Sequence, residues 1–202
     1  QKRVSGPEVT HFSYFERDES ALALFAALKG DDSAFELLQG PSQAQISRGG
    51  RRTKRKDDAP IVFLLPGILG GHLQRGSFCI WFEPFSMWSG EMAKLKVDAR
   101  RVTPDGWMDR NYENLARHLA DSHEVRPFAY DWRLSITSAA KLFGAKLDEA
   151  ISDAKGRGQA LRIVAHSMGG LVARLAMKDR WEDFKSIPGS RLLQLGTPNK
   201  GS

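Results

Sequence analysis

From Ala59 onward, short apolar runs alternate with amphipathic runs along the chain. The apolar runs have the length of buried strands, and they cover residues 61–65, 125–130, 160–164 and 192–195. The amphipathic runs repeat apolar residues at helical spacing, and they cover residues 111–120, 138–154 and 170–178. Strand and helix in turn predict an α/β fold with a mostly parallel sheet and helices on both faces.

The same repeats predict which side of each helix packs on the sheet. For the first helix the inward residues are Tyr112, Leu115 and Leu119. For the second they are Leu142, Ala145, Leu147 and Ile151, and for the third Leu171, Val172, Leu175 and Ala176.

A serine lies in the short connection between the third predicted strand and the third predicted helix. The segment reads Ala165-His166-Ser167-Met168-Gly169, and the residues two before and two after the serine are both small. A sharp strand-to-helix turn brings those two positions together and exposes the serine hydroxyl. The segment therefore predicts that Ser167 is a catalytic nucleophile. The alternative is a structural serine that caps the helix through its side chain.

Two backbone N–H groups are candidates for an oxyanion hole, the second requirement of acyl transfer by a serine. The N–H of Met168 follows the serine at a helix N-terminus. The loop after the first strand, residues 66–71, is rich in glycine and can turn its N–H groups inward, and we favour Ile68 as the donor. The alternative is an ordinary glycine-rich connection.

A general base and its acid are not evident in the sequence. In α/β-hydrolases they follow the serine in the order acid, histidine, but no histidine follows Ser167. The only later carboxylates, Asp179, Glu182 and Asp183, lie at the end of the serine-bearing helix. We do not expect His166 to be the base, because consecutive residues project apart in such a turn. We therefore expect the N-terminal part of a larger enzyme, truncated after the strand that follows this helix and inactive alone.

The residues before the alternating region form two further segments. Residues 1–47 contain helical patterns and predict an N-terminal helical extension, and residues 48–58 predict a basic, flexible linker. The linker carries +4 of the net charge of +6, so the rest of the chain is almost neutral. It is either a solvated connection or a patch for an anionic membrane surface. Because no aromatic residues are interleaved with its basic ones, we predict no nucleic-acid partner.

Residues 72–110 interrupt the strand–helix rhythm with an irregular, aromatic stretch that includes Trp81, Phe82 and Trp107. An insertion of this size is usually functional or disordered. Clustered tryptophan and phenylalanine suit apolar acyl chains or a membrane interface, with core packing as the alternative. We assign substrate contact to Leu69, Trp81 and Phe82.

The composition sets few further limits. A hydrophobic fraction of 41% and a charged fraction of 27% are typical of a globular domain, and no apolar run approaches the roughly 20 residues that span a bilayer. The single cysteine, Cys79, forbids an internal disulfide and favours a reducing, cytoplasmic compartment. No cluster of potential ligands has metal-binding spacing, so we expect neither a metal nor a cofactor. The oligomeric state is undetermined.

Five motifs of the chain occur in the order of a known family. They are Leu65-Pro66-Gly67-Ile68-Leu69-Gly70, Ile80-Trp81-Phe82, Tyr130-Asp131-Trp132-Arg133-Leu134, Ala165-His166-Ser167-Met168-Gly169-Gly170, and Leu195-Gly196-Thr197-Pro198-Asn199-Lys200-Gly201-Ser202. Together they resemble the lecithin:cholesterol acyltransferase-like family of α/β-hydrolases, which includes phospholipid:diacylglycerol acyltransferases and lysosomal phospholipase A2. The resemblance covers residues 59–202, and residues 130–133 discriminate best from other lipases.

The resemblance implies roles for particular residues. It implies Ser167 as the nucleophile, the N–H groups of Ile68 and Met168 as oxyanion donors, and the stretch around Trp81 as a mobile lid over a lipid site. For Asp131 and Arg133 we expect an ion pair that braces a loop rather than direct catalysis. Two features depart from the family. A lone cysteine cannot form the lid disulfide of secreted members, and the family's Asp and His would fall beyond Ser202.

The leading hypothesis is therefore a serine acyl hydrolase or acyltransferase that acts on ester lipids through an acyl-Ser167 intermediate. One alternative is a scaffold or regulatory module that keeps the fold without catalysis. Another is a hydrolase of the same fold for peptides or small esters, which the aromatic stretch disfavours.

Overall fold

The computed structural model describes residues 28, 58–76, 78–81, 95–96, 102–107 and 109–201. Most of the predicted N-terminal extension and linker lies outside these residues, as do Phe82 and several other aromatic residues of the insertion.

From residue 58 onward the described helices and strands follow one another in this order: β1 (Ile61–Leu65), β2 (Gly71–Arg75), β3 (Phe78–Trp81), β4 (Val102–Trp107), α1 (Asp109–Ala120), β5 (Glu124–Pro127), α2 (Ile136–Arg157), β6 (Leu161–His166), α3 (Met168–Met177), α4 (Trp181–Lys185) and β7 (Arg191–Leu195).

Four of these strands form a parallel sheet in the order β5-β1-β6-β7. The sheet confirms the α/β prediction made from the strand–helix alternation, and its architecture is compatible with an α/β-hydrolase. Along the chain, β1 is followed in this sheet by β5 on one side of it, and β5 is followed by β6 on the other side. The direction in which strands are added therefore reverses at β1. In open α/β sheets, sites gather at the carboxyl ends of strands beside such a switch point.

Helices cover both faces of this sheet. On one face, Ile61, Phe63 and Leu65 of β1 pack with the buried sides of α2 and α3. On the other, Val62 and Leu64 pack with α1 and with Leu28, a helical residue that is fully buried. Every residue of β1 is therefore buried, which explains its unbroken apolar run.

The inward faces agree with the sequence patterns for α1 but only in part for the other helices. Tyr112, Leu115 and Leu119 of α1 are all buried, as predicted. In α2, Leu147 and Ile151 are buried, again as predicted.

The prediction was wrong for Leu142, which is 59% exposed, and for Ala145, which is also exposed. In α2 the buried face is built largely from small residues around Phe143, whose ring meets Phe63 at 5.3 Å. A face rich in alanine and glycine admits close neighbours but leaves little signal in a hydrophobic pattern. Leu175 of α3 is likewise 42% exposed, although Val172 and Ala176 are buried as predicted.

A second, antiparallel sheet of order β3-β2-β4 occupies part of the stretch predicted to be irregular. For the described residues of that stretch the prediction of irregular structure was wrong. The strands are short, contain Gly71, Pro104 and Gly106, and have register shifts, so the regular alternation that marks a strand is absent.

Among the described residues, no helix combines the length and the apolar character that crossing a membrane requires.

Candidate functional site

Ser167 occupies the junction between β6 and α3 in a strained backbone conformation. Its φ is 51° and its ψ is −124°, whereas most residues with side chains avoid positive φ. Such strain costs about 1–3 kcal/mol and persists only where the surroundings fix it. Here the Ser167 N–H donates to the carbonyl of Leu195 at 2.8 Å, and its own carbonyl accepts from the Gly170 N–H at 3.0 Å.

Close contacts explain the small residues around this turn. A Cβ on Gly169 would lie 2.5 Å from the carbonyl oxygen of Pro66, and one on Gly170 would lie 1.9 Å from Oγ1 of Thr197. Both distances are far below van der Waals contact, so a larger residue would force the turn apart. Ala165, two residues before Ser167, is fully buried.

The side chain of Ser167 makes no capping hydrogen bond to α3. The alternative that this serine serves to cap the helix is therefore wrong.

The loop after β1 lies directly against Ser167. A Cβ on Gly67 would be 2.9 Å from Cβ of Ser167, so only glycine permits this approach. The Gly70 N–H donates to the carbonyl of Gly67 at 3.1 Å, which closes a turn with Ile68 and Leu69 at its centre. Leu69, in the same turn, has a φ of 62° and is a second strained position.

The two N–H groups predicted to form the oxyanion hole belong to Ile68, which follows Gly67 in this loop, and to Met168, the first residue of α3. In the described part of the chain, neither donates to a backbone carbonyl outside the regular helices and strands. That these two N–H groups stabilise an oxyanion stays a prediction from the sequence.

Tyr112 connects the loop after β1 to the turn at Ser167. Its hydroxyl accepts from the Gly67 N–H at 2.9 Å and lies 2.8 Å from Nδ1 of His166. Burial raises the pKa of Tyr112 to about 12, although the Gly67 N–H opposes the shift, so the phenol is neutral near pH 7. The sequence predicted only that Tyr112 points inward. A buried tyrosine on an otherwise apolar face was the signal that its hydroxyl has a polar partner.

Residues 130–133 brace the same loop. The Tyr130 hydroxyl donates to the carbonyl of Pro66 at 2.8 Å, and Nε1 of Trp132 donates to the carbonyl of Gly71 at 3.1 Å. Asp131 and Arg133 form an ion pair at 2.5 Å whose side chains are 7% and 4% exposed, which confirms the expected ion pair. The hydrogen bond to Asp131 raises the pKa of Arg133 despite the cost of burial.

Two of the three residues predicted to contact substrate meet at this loop. Nε1 of Trp81 donates to the carbonyl of Leu69 at 2.8 Å, and the Trp81 ring packs edge-on against Trp132 at 5.4 Å. Trp81 thus links the antiparallel sheet to the loop that carries Ile68. The third residue, Phe82, lies outside the described residues.

Two of the three carboxylates that follow Ser167 form ion pairs away from this turn. Asp183 accepts from Lys155 at 2.6 Å, and Glu182 pairs with Lys185 at 2.8 Å, both on the exposed surface. Within the described ranges, no group of three or more His, Cys, Asp or Glu residues could hold a metal ion.

Comparisons with known proteins extend this description. Residues 108–202 match the family model described as lecithin:cholesterol acyltransferase. The chain is also 46% identical over 108 residues to "Uncharacterized protein YJR098C" of Saccharomyces cerevisiae, a match that covers 50% of this chain and 16% of that protein. No solved structure matches the chain. The family match includes Ser167 and the brace at residues 130–133, and it supports a lecithin:cholesterol acyltransferase-like assignment for this C-terminal part of the chain.

Proposed function

We propose that this chain belongs to a serine-dependent acyl hydrolase or acyltransferase of the α/β-hydrolase fold that acts on ester lipids. The observation that carries the proposal is the backbone of Ser167, a non-glycine residue at φ 51° between a buried strand and a helix, with no capping role. The family supports a lipid acyltransferase or hydrolase in general, and the serine mechanism is our inference from the turn.

The chemistry follows from the surroundings of the serine. Oγ of Ser167 attacks the carbonyl carbon of the ester, and the resulting oxyanion receives hydrogen bonds from the N–H groups of Ile68 and Met168. Collapse of this tetrahedral intermediate breaks the ester C–O bond and leaves an acyl group on Ser167, and the proton lost from the Ser167 hydroxyl ends on the departing alcohol. Water then completes hydrolysis, or an alcohol completes transfer. We do not assign His166 as the base, because its Nδ1 is engaged with Tyr112.

Tyr112 and residues 130–133 hold the oxyanion loop in this mechanism. They contact the Gly67 N–H and the carbonyls of Pro66 and Gly71, which flank Ile68 on both sides. With the loop fixed before substrate arrives, the Ile68 N–H needs no reorganisation during the reaction. These are positioning residues, because they act through the loop rather than on the ester.

The apolar side chains at this edge of the sheet favour lipid esters over small polar ones. Ile68, Leu69 and Leu134 are 50%, 36% and 40% exposed, and they follow β1 and β5, which are neighbours in the sheet. Exposed large apolar residues beside a candidate site suit acyl chains or a lipid surface. Trp81 is half-buried beside the same loop.

Labelling with a fluorophosphonate tests this proposal. We expect the full-length protein to be labelled, more rapidly when lipid vesicles are present, and Ser167→Ala to remain unlabelled. A folded wild-type protein that does not react with or without vesicles would contradict the proposal and favour a scaffold or regulatory module.

A further inference from the structure

A cluster of basic side chains lies at the opposite end of the parallel sheet from Ser167. Arg162 of β6 and Arg191 of β7 are direct partners in the parallel register, so both side chains project from the same face. This is the face of Val62 and Val164, which α1 covers. Arg162 precedes the end of β6 by four residues, roughly 13 Å at the rise of a strand, so the cluster is separate from the candidate active site.

Arg162 is held by a histidine rather than by an acid. Its Nη1 lies 2.6 Å from Nε2 of His123, a side chain that is 7% exposed. Because a guanidinium only donates, Nε2 of His123 must accept, and the ring is neutral. Nδ1 of His123 then carries the hydrogen and donates to Oγ of Ser122 at 2.9 Å.

The charge of Arg162 is not compensated by any of the described residues. Its Nε is buried and has no hydrogen-bond partner, and no described carboxylate forms an ion pair with Arg162 or with Arg191. Glu124, the acidic residue of β5, is already paired with Arg126 and Arg157. Burial and the neighbouring charge of Arg191 lower the pKa of Arg162. A partly buried cation beside a second cation is costly unless an anion joins them.

We propose that Arg162 and Arg191, with His123 orienting Arg162, form a binding site for a small oxyanion of the phosphate type. His123 engages Nη1 and Nε is buried, so Nη2 is the nitrogen of Arg162 that is left to donate to the anion. Arg191 is exposed and supplies the solvent side of the site. The ligand is inorganic phosphate or a phosphate monoester, and a phospholipid headgroup shares the same chemistry.

Thermal unfolding of the full-length protein tests this site. Phosphate is titrated against chloride at equal ionic strength for the wild type, Arg162→Met and Arg117→Gln. The last variant removes the same unit of charge from an exposed helix position that is paired with Glu113. We expect phosphate at about ten times its Kd to raise Tm by about 2–5 °C in the wild type and in Arg117→Gln, but not in Arg162→Met.

The behaviour without phosphate separates a binding role from a structural one. An uncompensated buried charge predicts that Arg162→Met unfolds at the same temperature as the wild type or at a higher one. A lower Tm without phosphate together with an intact phosphate shift would overturn the site, as would a wild type that does not respond to phosphate.

Two further titrations identify the source of the oxyanion. If glycerol phosphate shifts Tm in the same way, the site accepts soluble monoesters. Binding to vesicles that contain phosphatidic acid, lost in Arg162→Met and retained in Arg117→Gln, would assign the headgroup instead. Neither result depends on whether Ser167 is catalytic.

Discussion

Among the helices that the structure describes, two begin at a serine, and they do so in different ways. Ser135 precedes α2 with φ −62° and ψ 146°, and its side chain accepts from the Ser138 N–H at 3.1 Å. Ser167 precedes α3 with φ 51° and ψ −124° and makes no such bond. The first is exposed, whereas the second is 6% exposed.

The difference lies in what surrounds each serine. The capping serine keeps an ordinary backbone, because its hydroxyl replaces a missing helix bond. At Ser167 the neighbouring strands and the glycines after it hold the backbone in a conformation that capping does not need. A helix cap stabilises the fold, whereas backbone strain of this kind is found most often at functional sites.

The largest expected effect comes from filling the space beside the strained turn. In Gly170→Ala the new Cβ would meet Thr197, a stiff β-branched side chain, so the turn must shift. We expect fluorophosphonate labelling to fall by about 100-fold and the free energy of unfolding by about 1–3 kcal/mol. The control is Gly156→Ala in α2, where nothing lies within 4 Å and helix propensity predicts a gain of about 0.5–1 kcal/mol. Equal behaviour of the two variants would show that the turn at Ser167 is not tightly packed.

Removing the hydroxyl that joins the turn to the oxyanion loop has a smaller expected effect. Tyr112→Phe leaves the ring in place but removes the hydroxyl that contacts both the Gly67 N–H and Nδ1 of His166. We expect the maximal rate of labelling to fall by about 10–100-fold, with little change in the probe concentration that gives half of that rate. A loss of stability with an unchanged labelling rate would reduce Tyr112 to a structural role.

Alkaline pH acts on the same hydroxyl. Because burial raises the pKa of Tyr112 to about 12, the folded state retains a proton that the unfolded chain releases near pH 10. The contribution of Tyr112 to the free energy of unfolding is therefore complete below pH 10. It falls by about 1–3 kcal/mol as the pH rises toward 12. Urea unfolding between pH 9 and pH 11.5 should show this decline, and the decline should be shallower in Tyr112→Phe. Burial also raises the pKa of Tyr130, so that variant retains part of the slope.

The smallest expected effect belongs to the capping serine. Ser135→Ala removes one helix cap and should lower the free energy of unfolding by about 1 kcal/mol while leaving the labelling rate unchanged. Denaturant unfolding and labelling of the same preparation check both expectations. A labelling rate that fell with stability would mean that the two helix starts do not differ in function.

The sequence predicted the parallel sheet and the turn at Ser167 because both depend on local pattern. The buried strand β1 is apolar at every position, and the small residues at 165 and 169 are what so sharp a turn requires. Ser135 has no such neighbours, since Arg133 and Thr137 stand at the corresponding positions.

What the sequence did not predict depends on contacts between distant residues. The hydroxyl of Tyr112 meets residues 45 and 54 positions away, and no local pattern encodes that meeting. The antiparallel sheet has short strands with glycine and proline, and the inner face of α2 is built from small residues around Phe143. Each gives a weak hydrophobic signal although each is well defined in space.

The central claim is that Ser167 carries an acyl group during turnover. The most direct measurement is intact-mass spectrometry of the full-length protein after brief exposure to a fatty-acyl nitrophenyl ester, followed by peptide mapping. We predict one added acyl mass on the peptide that contains Ser167, with none in Ser167→Ala and normal acylation in Ser135→Ala. Acylation of a different residue, or acylation that persists in Ser167→Ala, would contradict the account.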